Sequence, residues 1–237
     1  MMKHLAVIPA RGGSKRVPRK NVRPFLGRPL LAYSIDAARA CGLFDRVLVS
    51  TDDAEIAEVA RACGAEVPFL RPAALSDDHA SASAVIRHSI DELAAQGEHP
   101  EYVTLVYATA PMLSPEDLRR GFALLEAHPE KAYALTVTSF PFPIQRAVRI
   151  LEGGVLDAFQ PEHRSTRSQD LEHAFHDAGQ FCMGRTRAWL EGEIIFSPAT
   201  LAVRVPRERV QDIDTPEDWR VAELLYQALQ AVGQAVP

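Results

Sequence analysis

Apolar runs rich in β-branched residues alternate along the chain with stretches whose apolar positions recur at helical spacing. HLAVIPA (4–10), RVLVST (46–51), EVPFL (66–70), YVTLVYA (102–108) and AYALTVTSF (132–140) read as strands. PLLAYSIDAARACG (29–42), DDAEIAEVARACG (52–64), residues 81–96 and a segment opened by SPEDL at 114 read as helices. Gly42 and Gly64 stand where helices stop, and Asp52 stands where one is capped. This βαβαβ order predicts a mostly parallel sheet with helices on both faces, a three-layer α/β/α domain. A last helix is expected from TPEDW at 215, with Thr215 as cap, Pro216 at the first helical position, and Glu217 and Asp218 against the positive end of the dipole.

The rhythm breaks between about 139 and 178, where the chain carries Gly153-Gly154, three prolines, four arginines and no sustained helical period. A hairpin at the glycine pair followed by an irregular polar arm is expected there, inserted into a single domain spanning 1–237 and serving a site or a partner.

Composition adds limits. The 237 residues are 47% hydrophobic and 24% charged, enough for an ordinary buried core. Cys41, Cys63 and Cys182 form no CxxC pair, so neither a disulfide framework nor a zinc site is expected, and a reducing cytoplasm suits them. The run Leu5 to Ala10 is too short for a signal peptide or a membrane span, which predicts a cytosolic protein with no membrane partner. A net charge of -5 argues against a nucleic-acid partner, and the interleaved aromatics of an RNA-binding surface are missing from the basic N-terminus.

That charge is unevenly placed. Residues 1–28 hold eight Lys and Arg, and the first acid is Asp36. AVIPARGGSKRVPRKN (6–21) therefore puts a basic, glycine-bearing loop at the carboxyl end of the first strand, where open α/β sheets bind ligands. Its glycines let backbone N–H groups approach an anion, and its Arg and Lys supply charge and donors suited to a polyphosphate. The spacing is neither GxGxxG nor GxxxxGK[ST], and taken alone the loop also reads as a solvated basic turn. In VQDIDTPEDW (210–219), Asp212 and Asp214 are two apart and on a strand end share a side, giving two hard oxygen ligands for Mg²⁺. The same residues also suit a turn and cap before the last helix.

IPARGGSKRVPRKN (8–21), VSTDD (49–53), LRPAALSDDHAS (70–81), TAP (109–111) and QDIDTPEDW (211–219) together resemble the acylneuraminate cytidylyltransferases, in family order and over nearly the whole chain. Those nucleotidyltransferases convert an acidic nine-carbon sugar and CTP into a CMP-sugar and pyrophosphate. The resemblance implies a nucleotide-diphospho-sugar-transferase-like, Rossmann-like fold, with the arm serving dimerisation and substrate. It implies that Arg11 and Lys20 hold the triphosphate and, with the Mg²⁺ ligands Asp212 and Asp214, form the catalytic set. It also implies that Gly12, Gly13 and Ser14 line the phosphate loop, that Asn21 binds near the ribose or phosphates, and that Arg71 and the backbone around Ala80 and Ser81 read cytosine.

Within the family, PIQRAV (143–148), TRSQDLEHAFHDAGQF (166–181) and Tyr107 ahead of TAP resemble the branch acting on pseudaminic acid. The N-acetylneuraminate enzymes usually have glutamine in a QPTSP segment and tend to read R-P-N-G where this chain has His176-Asp177-Ala178-Gly179. Legionaminic, N-acetylneuraminic and 3-deoxy-manno-octulosonic acids are the alternative sugars. A regulatory module that senses CTP without turnover is the alternative of another class, and the paired aspartates argue against it. Ala108, where relatives often have proline, and Cys182-Met183, where they often have larger aromatics, depart from the pattern near the sugar pocket. The sugar carboxylate needs a cation, for which Arg167 and Arg146 are the candidates, each of them equally a surface arginine paired with Asp170 or Glu172. Tyr107, Gln145, Gln169, Asp170, His176, Asp177 and Gln180 are candidate hydrogen-bonding partners for the sugar, and a homodimer is implied in which the arm reaches toward the neighbouring site.

Overall fold

The computed structural model describes residues 2–77 and 80–233. Asp78 and His79 of the LRPAALSDDHAS stretch lie outside the described residues. In chain order, β1 (His4–Pro9) leads through the basic loop to a two-residue pair, β2 (Pro24–Phe25) and β3 (Arg28–Pro29), then to α1 (Leu30–Ala40), β4 (Arg46–Ser50) and α2 (Ala54–Ala62). Next come α3 (Ala82–Ala94), β5 (Tyr102–Val106), α4 (Pro115–Ala127) and β6 (Tyr133–Ser139). A small hairpin, β7 (Val148–Ile150) and β8 (Leu156–Ala158), precedes β9 (Phe175–Arg185), α5 (Thr186–Glu191), β10 (Thr200–Arg204) and α6 (Pro216–Ala231).

The main sheet has the order β10-β6-β9-β5-β1-β4. β1 pairs parallel with β4 and β5, and β10 parallel with β6, while β9 runs antiparallel to both β5 and β6. Helices cover both faces, which is why the inner strands read as unbroken apolar runs rather than alternating ones. On one face Ala6, Ile8, Val49 and Phe181 pack against Ile35, Ile56 and Leu118 of α1, α2 and α4. On the other, Leu5, Val7 and Leu105 pack against Ile86 and Leu93 of α3 and Trp189 of α5. A third apolar cluster joins Val17 and Phe25, on and just after the basic loop, to Ile213, Trp219 and Tyr226, so the two ends of the chain meet.

Three local expectations are corrected. Residues 66–70 form no strand, because only Glu66 bridges to Leu48 before Pro68 interrupts the ladder. The cap of α2 is Asp53 and not Asp52: the Asp53 side chain accepts from the Ile56 amide, leaving Asp52 free to face the basic loop. β9, an eleven-residue strand through the middle of the sheet, begins at Phe175, inside the stretch expected to be an irregular arm after the hairpin. Its register breaks where Leu135 pairs with Cys182 but Val137 pairs with Asp177, so residues 178–181 bulge, with Gly179 at φ 61.

Between β6 and β9 the chain forms the expected hairpin, turning at Gly153 and Gly154, and otherwise short 3₁₀ turns. Several of its apolar side chains face solvent, Phe142 at 80% and Ile150 at 74% exposure among them. No helix of the described residues is long and apolar enough to cross a membrane.

Candidate active site

The carboxyl ends of β1 and β4 bring two sequence-distant stretches side by side. The basic loop leaves β1 with the Ala10 amide on the Ser50 carbonyl, and two residues later the Gly12 amide donates to Asp52 Oδ1 at 3.0 Å. Asn21 closes the loop from inside, its buried Nδ2 donating to the Arg11 carbonyl at 3.0 Å. The loop turns back at Arg19, which adopts φ 56 without being glycine, and its guanidinium spans Asp53 Oδ2 at 2.5 Å and Oδ1 at 3.1 Å and also reaches Glu55. That bidentate pairing holds the Asp53 carboxyl down at about 2.

The loop meets the C-terminal segment on its other side. Lys20 Nζ donates to the Ile213 carbonyl at 2.5 Å and lies 3.4 Å from Asp214 Oδ1, while Arg16 Nη2 lies 2.7 Å from Asp214 Oδ2. Asp214 and Thr215 are themselves fixed by Asp218, whose Oδ2 accepts from both backbone amides in a capping box. Although solvent reaches Asp212, the surrounding protein and then the Asp214 charge push its carboxyl up, partly offset by Lys20.

The result is a cleft of about 330 Å³ lined by Arg11, Ser14, Lys20, Asn21, Arg71, Ala80 and Asp214, with Lys15, Arg16 and Asp77 also on its wall. Gly12 and Gly13 form the loop's backbone beside it, and Ser81 caps α3 next to Ala80, accepting from the Ala84 amide at 3.2 Å. Arg71 is buried, and its Nη2 stands 3.7 Å from Asp52, the same carboxylate that holds Gly12. Asp52, Asp53, Arg16 and Arg19 were not singled out as site residues. The available signal was VSTDD itself, two adjacent acids at the carboxyl end of the strand beside the basic loop.

A second group stands next to Asp212. Tyr107 follows β5, its amide donating to the Gln180 carbonyl at 2.9 Å and its phenol close enough to Asp177 to feel its charge. Burial, then the charge of Asp177, and more weakly that of Asp212, push the phenol well above its usual range, and burial likewise raises the Asp177 carboxyl. Asp177 Oδ1 accepts from the Gly179 amide at 2.8 Å, which fixes the bulge of β9. His176 packs on Phe140 with its Nδ1 against the Asp177 carbonyl. Gln180 is only 3% exposed, and its Nε2 donates to the Arg209 carbonyl at 2.6 Å.

Gln145, Arg146, Arg167, Gln169 and Asp170 lie on the arm, and none of them lines the cleft. Arg167 pairs with Asp170 at 2.7 and 3.2 Å, Arg146 donates to Ser168, and Gln145 donates to the Glu172 carbonyl.

Residues 5–180 match the family model described as Cytidylyltransferase. The chain belongs to that family. Among curated relatives, this cytidylyltransferase is 45% identical to the pseudaminic acid cytidylyltransferase of Campylobacter jejuni over 95% of its own length and 97% of the relative's. It is 31% identical to the CMP-N,N'-diacetyllegionaminic acid synthase of Legionella pneumophila over 97% of its length and 98% of that protein's. Its fold is that of a CMP:2-keto-3-deoxy-manno-octonic acid synthetase solved with CTP, with a TM-score of 0.70 over 95% of this chain and 99% of the other at 17% identity.

Proposed function

We propose that this cytidylyltransferase transfers CMP from CTP to the anomeric hydroxyl of pseudaminic acid, giving CMP-pseudaminic acid and pyrophosphate. The observation that carries the sugar assignment is the 45% identity, spanning 95% of the chain, to the Campylobacter jejuni enzyme named for that acid, against 31% to the synthase named for the diacetyllegionaminic product.

The hydroxyl oxygen on the sugar's anomeric carbon attacks the α-phosphorus of CTP, the bond from that phosphorus to the bridging oxygen breaks, and pyrophosphate leaves as the hydroxyl loses its proton. Such chemistry depends on alignment and on neutralising charge. Arg11, Lys20 and the amides of Gly12, Gly13 and Ser14 hold the triphosphate, with Asn21 keeping the loop in shape. Arg71 and the backbone at Ala80 and Ser81 take the cytosine. Tyr107, His176 and Asp177 face the sugar.

Two hard carboxylates, Asp212 and Asp214, suit Mg²⁺, which commonly takes one or two protein carboxylates and completes its shell with phosphate oxygens and water. When bound there, Mg²⁺ supplies charge neutralisation at the α-phosphate. Asp214 already stands between Arg16 and Lys20, so this carboxylate shares one edge of the cleft with those cations, while Asp212 lies outside the cleft lining.

The sugar's carboxylate is met by Arg167 or Arg146 of the arm. Since the arm does not line its own chain's cleft, it reaches the site of a second copy in a homodimer, and the exposed Phe142, Ile150, Leu156 and Phe159 supply apolar surface for that contact. Light scattering at micromolar protein should give the mass of two chains.

The deciding assay is pyrophosphate release with CTP and Mg²⁺ in the presence of pseudaminic, legionaminic, N-acetylneuraminic or 3-deoxy-manno-octulosonic acid. Release with pseudaminic acid alone is expected. Release with a different acid alone would move the sugar and leave the reaction, and binding of CTP with no release for any acid would replace the enzyme by a sensor.

A further inference from the structure

One buried charge cluster takes no part in the chemistry above. Asp117, in the first turn of α4, accepts from Arg209 Nη1 at 2.5 Å and pairs with Arg120 at 2.9 Å, and the side chains of Asp117 and Arg209 are only 3% and 12% exposed. Arg120 in turn donates to the Arg204 carbonyl at the end of β10. From the opposite side Gln180, in the bulge of β9, donates to the Arg209 backbone carbonyl at 2.6 Å. Arg209 is thus gripped at its side chain by α4 and at its main chain by β9, three residues before Asp212.

We propose that Arg209, held by Asp117 and Gln180, is the positioning residue that sets where Asp212 and Asp214 stand against the basic loop. The segment from β10 to α6 is anchored at its far end by the fully buried Ile213 and by the Thr215–Asp218 capping box. Its near end has the Arg209 grip. On the downstream side Gln211 Nε2 also donates to the Asp212 carbonyl at 2.8 Å and to Asp218 Oδ1 at 3.3 Å, so the upstream approach to Asp212 is the part that depends on the Arg209 grip, and a misplacement on the order of 1 Å in a phosphoryl-transfer site costs rate heavily.

Stability does not account for the cluster. A buried ion pair replaced by apolar groups of the same shape is often neutral or stabilising, and here Gln180 Oε1 is left buried with no hydrogen-bond partner in the described structure. What the grip does supply is a fixed height for the backbone leading into Asp212.

The inference rests on the reading of Asp212 and Asp214 as the metal-bearing pair, and its test separates the two. Mn²⁺ is titrated into the full-length protein with CTP present, the free ion being followed by electron paramagnetic resonance. Wild type is compared with Gln180→Met, Arg209→Lys and Asp214→Ala, and CTP affinity without metal is measured beside it. Gln180→Met loses only the bond to the Arg209 carbonyl, and Arg209→Lys keeps the buried charge, so both avoid stranding Asp117. Supporting residues around metal sites typically change affinity or activity by about 10- to 100-fold, so Mn²⁺ binding and kcat should fall about tenfold or more. Metal-free CTP affinity should stay within about twofold. Mn²⁺ affinity within about twofold of wild type in both folded variants, with Asp214→Ala impaired, would overturn the positioning role and keep the metal pair. Asp214→Ala binding Mn²⁺ as wild type does would overturn both.

Discussion

Gly12 and Gly13 are adjacent in the basic loop, yet only Gly12 should respond strongly to alanine. Neither has a positive φ, so the difference is one of space. A Cβ on Gly13 meets nothing within 4 Å, whereas a Cβ on Gly12 stands 2.7 Å from Asp53 Oδ2 and 3.1 Å from Asp53 Cβ. Asp53 can retreat only by giving up its bonds to Arg19 at 2.5 and 3.1 Å and to the Ile56 amide at 3.0 Å. Losing the cap costs about 1 kcal/mol. The Arg19 pair is 38% and 23% exposed, so after screening its loss adds about another 1 kcal/mol. Gly12→Ala should therefore cost about 2 kcal/mol, which for a chain of this size lowers Tm by about 4–8 °C. If the loop moves instead, its Gly12 amide leaves Asp52 and the place proposed for the triphosphate, and KM for CTP rises about tenfold or more. Gly13→Ala should change stability by no more than about 0.5 kcal/mol. Differential scanning fluorimetry and CTP saturation curves measure both. Asp53→Ser keeps a capping oxygen and removes the obstructing carboxylate, so Gly12→Ala in that background should cost less by about 1 kcal/mol. Equal Tm and KM for the two alanine variants would refute the packing argument.

Acid titration provides a second check on the same pair. Asp53 sits at about 2 in the folded protein against 3.8 ordinarily, so its stabilising contribution is present above about pH 4 and is lost as pH falls through about 2. The difference in urea unfolding free energy between wild type and Asp53→Asn should shrink over that window, and a difference that stays constant would exclude the ion pair as its source. Asp212 carries the opposite sign, because its folded carboxyl is raised and its charged form works against the fold at neutral pH. Asp212→Asn should then raise Tm by a degree or two while lowering turnover by about 100-fold or more. A lower Tm in that variant would show that burial and the nearby Asp214 charge are not what the Asp212 carboxylate contributes to stability.

The parallel core was legible in the sequence because each strand of it is buried on both faces. β1, β4 and β5 are short continuous runs of Val, Ile and Leu, and the helices between them end at Gly42 and Gly64, both with positive φ. The C-terminal helix starts at Pro216 after its Thr215 cap, as its first residues indicate. EVPFL misled because its composition is that of a strand, while Pro68 removes a ladder donor and Leu48 offers a partner only at Glu66. β9 escaped notice for the converse reason. FHDAGQFCMGR mixes buried and polar residues with no regular alternation, since the bulge at 178–181 shifts the inward positions by an amount that no period of two describes. Of the site, the residues facing the cleft stood out through local charge and glycine content. The carboxylates that hold them, Asp52 and Asp53 behind the loop and Asp117 behind Arg209, act across 34 to 92 residues, and no short window contains both partners.

The antiparallel direction of β9 explains why the arm lies at the carboxyl edge of the sheet. A parallel strand between β5 and β6 would start at the amino edge of the sheet, so a segment leading into it would lie on the side away from the basic loop. Because β9 is reversed, Phe175 pairs with Ser139, and the arm both leaves β6 and enters β9 at the carboxyl edge where the basic loop and Asp212 stand. The same reversal puts the beginning of β9, not its end, beside Tyr107, so Asp177 and Gly179 can bulge toward the site while Cys182 to Arg185 continue as an ordinary core strand. One reversed strand thus supplies His176 and Asp177, two of the three residues proposed to face the sugar, the Gln180 contact with Arg209 and the end of the arm, so these features are contiguous in sequence while the residues proposed for the nucleotide are scattered from 11 to 214.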